Sequence, residues 1–269
     1  MRFLKSLLLA AALTTGVPAT AHEFWISPLI YQVPSDAMLL ADIRVGEMME
    51  GSPYSYVPPN FERFEIRMAG ESFDVDGRAG DRPALKMRAP MAEGLAVVVH
   101  ETRDYSLTYR DWAKFTQFTE HKDFRWALDR HRERGLPEQD FKERYSRYGK
   151  SLIGVGFAEG SDTEVGLLIE IVAGANPYTD DLSDGFPVTV LFEGAPRADE
   201  QVELFEKAPD GSVTSTLHRT DAKGRVTLPV KAGHEYLVDS VLMRELDPVD
   251  EGDPVWESLW ASLTFKVPG

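Results

Sequence analysis

The 269-residue sequence contains no cysteine, and that absence removes several chemistries at once. There is no disulfide framework, no thiolate zinc site, no cysteine-ligated iron–sulfur cluster and no cysteine nucleophile. Basic residues are also scarce: 29 Lys and Arg stand against 44 Asp and Glu, a formal net charge of −15. Nucleic acid and anionic lipid surfaces are held by clustered cations, so neither is an expected partner. Beyond the first residues no apolar run approaches the roughly 20 residues that a membrane-spanning helix needs. Familiar catalytic signatures are missing too. There is no GxSxG, P-loop or SxxK, and Gly154-Val155-Gly156-Phe157-Ala158-Glu159-Gly160 lacks dinucleotide-binding spacing. The expectation is a protein that is not an enzyme, although paired catalytic carboxylates leave no local signature.

What is present is a globular composition, 43% hydrophobic and 10% aromatic, which can bury a sizeable core. Residues 1–21 read as a secretory signal peptide. Arg2 and Lys5 supply the positive start, Leu7 to Leu13 the apolar stretch, and Ala19-Thr20-Ala21 a small-x-small cleavage site. Export to the periplasm follows as an expectation, with a mature chain beginning at His22. Without cysteine, in a compartment that permits disulfides, the fold must hold by packing.

The mature chain reads as mainly β, two sandwich domains of immunoglobulin or prealbumin type with a helical insertion. The first domain is placed at 22–184 and the second at 185–269. In the first, Phe64–Met68 and Ser72–Val75 flank Ala69-Gly70 as a hairpin, and Leu95–His100 is a β-branched run expected to be a buried strand. Residues 111–149 are rich in aromatics and charges at near-helical spacing. They predict two or three short helices, the last opening at Pro137-Glu138. After 185, short alternating segments recur at sandwich-like spacing. Asp210-Gly211 and Lys223-Gly224 stand where hairpin turns belong.

Candidate chemistry centres on histidine. At a mature N-terminus, His22 would offer an imidazole and a free α-amine to one metal ion, and the amine's ordinary pKa of about 7.7–8.0 lets a metal displace its proton near neutrality. Imidazole suits nickel, cobalt, copper or zinc. Another ligand is needed, and His100 or His121 is the candidate, although a locally satisfied core histidine and a solvated helix end are the bland readings of those two. His131 reads as a surface residue, and His218 and His234 as unrelated to an N-terminal site. No zinc motif with short histidine spacing exists. The acid-rich stretches at Asp180–Asp184 and Asp247–Asp253 lack EF-hand order and read as solvated loops.

Several segments together resemble a family of exported bacterial proteins of unknown function, often described as the periplasmic component of nickel/cobalt uptake. They are Ala21-His22-Glu23-Phe24-Trp25-Ile26, Arg144–Leu152, Gly166–Val172 with Asn176-Pro177, Thr220–Val226 and Trp256–Phe265. The C-terminal part resembles carboxypeptidase-regulatory-like sandwiches. The resemblance implies a secreted, two-part β-rich protein that handles a divalent transition metal, with His22 as a natural ligand and an inner-membrane metal transporter as a possible partner. One departure stands out: relatives tend to carry a histidine before the methionine at Leu242-Met243. Two other functions stay open, an envelope structural, adhesion or glycan-binding module without a specific metal, and a copper oxygenase built on an N-terminal histidine brace.

Cleavage after Ala21 has a direct check. N-terminal sequencing of the exported protein should read His-Glu-Phe-Trp, and any other start removes the amino-terminal chelate.

Overall fold

The computed structural model describes residues 22–269, so the signal segment at 1–21 lies outside the described residues. The chain first runs through β1 (Glu23–Pro28), β2 (Gln32–Val33), β3 (Met38–Glu47), β4 (Glu50–Tyr54), β5 (Phe61–Met68), β6 (Glu71–Asp74), β7 (Leu85–Arg88), β8 (Gly94–Thr102) and β9 (Tyr105–Tyr109). Two helices follow, α1 (Trp112–His121) and α2 (Trp126–Glu133), and then the long strand β10 (Phe141–Val155). The remainder is all β. It comprises β11 (Ile169–Ala173), β12 (Phe186–Phe192), β13 (Ala195–Pro196), β14 (Gln201–Lys207), β15 (Val213–Arg219), β16 (Arg225–Leu228), β17 (Glu235–Glu245) and β18 (Pro254–Lys266).

One ten-stranded sheet runs through both halves of the chain in the order β15-β14-β17-β18-β10-β8-β5-β6, with β2 and β9 also paired to β10. Its centre is the parallel pairing of β10 with β18, from Glu143 opposite Trp256 to Ser151 opposite Thr264. Because side chains alternate across a strand, this sheet needs cover on both faces. In β8, Leu95, Val97 and Val99 enter one core with Ile169, Val188, Val238 and Leu263. Ala96 and Val98 enter another with Phe24, Leu39 and Ile66. The sheet of β11, β12, β13 and β16 therefore covers one face, and that of β1, β3, β4 and β7 the opposite face. Beside the latter, α1 and α2 bury Phe115, Phe118, Ala127 and Leu128 against Val241, Trp256 and Trp260. The fold is thus mainly β and sandwich-like, with two helices. Strand β11 pairs with β12, so pairing crosses residues 184 and 185.

Two local expectations need correction. No helix starts at Pro137-Glu138; Phe141–Tyr148 belongs to β10. Its charged and aromatic residues look helical by spacing, but they are held extended by β9 on one side and β18 on the other, partners that local spacing cannot reveal. The Lys223-Gly224 turn does not close a hairpin either. The Asp221 carboxylate accepts the N–H groups of Lys223 and Arg225, and the chain passes from β15 in the large sheet to β16, which pairs with β12. The hairpin at Ala69-Gly70 forms as expected, with Met68 opposite Glu71.

Lys150, buried in β10, makes an electrostatic tie between layers. Its Nζ lies 2.7 Å from Asp162 and 2.9 Å from Glu170. Glu170 also accepts the N–H groups of Val165, Gly166 and Leu167, and Asp162 those of Thr163 and Ala173. Lys150→Met would leave two buried carboxylates without their cation, at a cost of about 3–5 kcal/mol. Urea unfolding at neutral pH should show a loss of unfolding free energy of that size, and a change below about 1 kcal/mol would contradict it.

Candidate functional site

Strand β1 presents successive residues to opposite sides, and this alternation decides where the chemistry gathers. Phe24 and Ile26 enter the core beneath the β1 sheet. Trp25 instead packs with Met49, Phe205 and Leu237, and Glu23, two residues before Trp25, points the same way toward β14 and β17. There Glu203 and Asp239 are direct cross-strand partners. Helix α1 closes the group from above. Asp111 caps its start by accepting the Ala113 N–H at 2.9 Å, and Phe115 and Phe118 anchor it in the aromatic core. Lys122 ends it, and Asp123 with φ of 66° turns the chain away. The helix C-terminus therefore delivers His121 and Lys122 onto the sheet. The Gln201 side chain fixes that end by donating to the His121 carbonyl at 2.9 Å.

The result is a cluster of charges removed from water: Glu23, Lys122, Glu203 and Asp239 are each 4% exposed or less. Lys122 Nζ donates to Glu203 Oε2 and Asp239 Oδ2, both at 2.9 Å, and lies 3.5 Å from Glu23 Oε1. His121 Nε2 is 3.3 Å from Glu203 Oε2, on a side chain still 44% exposed. One donor atom each from Glu23, His121 and Glu203 lie within 4.8 Å of one another. Metal bonds of about 2.0–2.2 Å to nitrogen and oxygen imply donor separations of roughly 3.4 Å in a tetrahedral site. To hold one ion, the three donors would have to close to that spacing.

Charge is not balanced in this cluster. Three carboxylates face one ammonium, so two negative charges remain when all are ionised and His121 is neutral. Burial pushes Glu23 up to about 7, against the pull of Lys122 and with the help of Asp239 and Glu203. Asp239 is raised by burial as well, and its Oδ1 is buried without a hydrogen-bond partner. For Glu203, burial is outweighed by the hydrogen bond from His121 and by Lys122, which hold it at about 2. Burial alone would lower Lys122, but Asp239, Glu203 and Glu23 together raise it. Such a pocket of uncompensated negative charge, partly relieved by proton uptake, is what desolvated carboxylates do when no further cation is at hand.

The candidate histidines separate. His121 belongs to the donor group, whereas His22 and His100 lie outside it. The His22 side chain is 56% exposed, with Nε2 3.6 Å from Glu47. His100 is buried among Phe24, Phe61 and Phe64, at ring distances of 5.4, 5.3 and 5.0 Å. Burial drives it down to about 3, so it is neutral, and its Nδ1 has no hydrogen-bond partner. His131 is buried rather than on the surface: Nδ1 accepts from Trp256 Nε1 at 3.0 Å, and Nε2 donates to the Pro137 carbonyl. Leu242 packs against the core on the other face of β17 from Asp239, Val241 and Met243, so a histidine there would not reach the donor group.

Glu23, Lys122, Glu203 and Asp239 were not singled out from the sequence. A signal existed for one of them. Asp239 interrupts the apolar face of β17 that carries Leu237, Val241 and Met243, and an ionisable residue on a buried face needs a partner. Glu203 shares its face of β14 with Gln201 and Lys207, and nothing local marks it, Glu23 or Lys122.

A family model described as a domain of unknown function, DUF4198, matches residues 19–244. No curated protein matches the chain. Among solved structures, the chain has a likeness to the D0-D1 domain of Intimin, with 14% identity over 90% of this chain and 97% of that one, at a TM-score of 0.22. Another is a tetra-tandem repeat in the extending region of a large adhesion protein, with 12% identity over 91% of this chain and 49% of that one, at a TM-score of 0.20. Neither likeness, at these scores, bears on what the site does.

The raised carboxyl of Glu23 makes stability depend on pH in a defined direction. Between about 4.5 and 7 the folded chain holds a proton on Glu23 that the unfolded chain has released, so stability falls as pH rises through that window. Glu143, also pushed up to about 7 by burial, adds to the same fall. Glu203 acts oppositely, losing its contribution as pH drops from 4.5 toward 2. Urea unfolding should show stability declining from pH 5 to pH 7, each raised group contributing up to about 1.4 kcal/mol per pH unit. Glu23→Gln should flatten that decline, and an unchanged slope would rule out Glu23 as its source.

Proposed function

The chain belongs to the DUF4198 family, a family of unknown function, and from that premise we propose that it is a periplasmic accessory protein that binds one divalent transition-metal ion as cargo. Three convergent donors, Glu23, His121 and Glu203, beside two uncompensated negative charges carry this reading. A divalent cation brings the cluster to neutrality, with Lys122 left to pair with Asp239. The donors are one imidazole and two carboxylates, a borderline-to-hard set compatible with nickel, cobalt or zinc, and copper binds most tightly to almost any such set. The exposed edge of His121 gives the ion a way in and out, as delivery to an inner-membrane transporter requires.

His22 enters through its backbone rather than its ring. If export frees its α-amine, that amine belongs to the residue adjoining Glu23 and is a candidate fourth donor. Its imidazole projects to the other side of β1. A binding role suits this arrangement better than catalysis, because the cluster is closed by buried side chains rather than open to a substrate.

Calorimetric titration of the mature protein with Ni²⁺, Co²⁺ or Zn²⁺ should give one ion per chain. His121→Ala and Glu203→Gln should each weaken binding at least tenfold. Affinity should rise from pH 6 to pH 8 with proton release, because Glu23 must lose its proton to bind. One added residue before His22 tests the amine: a tenfold loss includes it among the donors, and no change excludes it. Wild-type affinity in both side-chain variants would overturn the proposal.

A further inference from the structure

A second site lies close to the charge cluster and has the opposite character. Trp260, whose ring is 5.3 Å from Lys122 Nζ, also lines a cavity of about 370 Å³, a size that suits a small organic molecule. The protein as a whole is strongly acidic, yet Arg110, Lys114 and Arg147 all line this cavity. The two acids there are weak opponents. Asp111 is engaged with the Ala113 N–H. Glu143 accepts the hydroxyls of Tyr109 and Ser258 and is pushed up to about 7 by burial.

Arg147 is the informative residue. Its guanidinium stands 5.0 Å from the Tyr145 ring and 5.8 Å from that of Phe24. Its Nε is buried with no hydrogen-bond partner, and it forms no ion pair among the described residues. Burial lowers its proton affinity, the expected result for a cation that has lost water without gaining an anion. Of the other walls, Tyr109, Phe118, Tyr145 and Trp260 are aromatic, and His22, Leu107 and Thr108 complete the lining. A planar guanidinium pairs best with a carboxylate, through two parallel hydrogen bonds. A dianion would face Glu143 as well, and only one buried cation is free to offset it.

We propose that this cavity binds a small aromatic carboxylate, its anionic group paired with Arg147 and its ring against Tyr145 and Trp260. The cavity borders the cluster at His22 but includes none of the donors Glu23, His121 and Glu203, and the proposal does not rest on the metal-binding reading. Calorimetry with benzoate and phenylacetate, and with benzamide and phenylacetamide as neutral counterparts, tests it in the presence of a chelator that removes metal. At least one acid should bind with Kd below about 1 mM, and its amide at least tenfold more weakly. Arg147→Met should abolish the preference for the acid. Lys114→Glu, on an exposed helix position, should weaken the acid several-fold without disturbing the fold, and it decides the matter if the Arg147 variant does not fold. Absence of binding by both acids, equal binding of acid and amide, or wild-type affinity in the Lys114 variant would each overturn the proposal.

Discussion

The parallel pairing of β10 with β18 is the constraint on which the rest of the molecule depends. It joins strands more than a hundred residues apart and makes one sheet of what would otherwise be two. A sheet of that width, apolar on both faces, cannot leave either face in water. Cover must come from both sides, and the chain supplies it with two small sheets on opposite faces and a helical pair beside one of them. The candidate site is a product of that arrangement. It forms where the end of α1, the start of β1 and the β14–β17 pair converge on one face of the shared sheet.

Two buried lysines, Lys150 in the large sheet and Lys122 at the end of α1 above it, provide an internal comparison. Lys150 meets Asp162 and Glu170, and both carboxylates are completed by backbone N–H donors. That cluster is satisfied and reads as structural, a tie between the large sheet and the segment leading into β11. Lys122 meets three carboxylates, with one buried oxygen of Asp239 unpartnered and Glu23 pushed up to about 7. Hydrogen bonds to the charged form are what allow a buried carboxylate to stay ionised. Where the backbone provides them, the charge is settled within the fold. Where it does not, burial raises Glu23 and Asp239 so that protons relieve part of the charge, and the proposed divalent cation would match the charge of the fully ionised cluster.

The neighbouring cavity shows the same logic with the sign reversed. A guanidinium is desolvated between aromatic rings without an acid to meet it. Overall charge says little about either place. The −15 of the whole chain is a property of its surface and solubility. The local sign at each site is set by which few side chains the fold withdraws from water together.

Residue patterns alone determined the β-rich class, the aromatic helical stretch at α1 and α2, and the turn at Ala69-Gly70, because alternation, helical spacing and glycine-bearing turns act over a few residues. The same local reading failed at Phe141–Tyr148, whose extended form depends on β9 and on β18 more than a hundred residues away. It put His22 first as a ligand and named His121 only as a possible partner on a level with His100, because it could not know which way each of them faces. Only tertiary structure enclosed the His100 ring among phenylalanines, placed Glu23 rather than the His22 ring on the side of the cluster, and brought Lys122, Glu203 and Asp239 within hydrogen-bonding distance. The physical reason is one of range: local pattern fixes turns and the alternation within a segment, while the pairings and packing that decide which polar side chains are buried, and against what, are made by segments far apart in the chain.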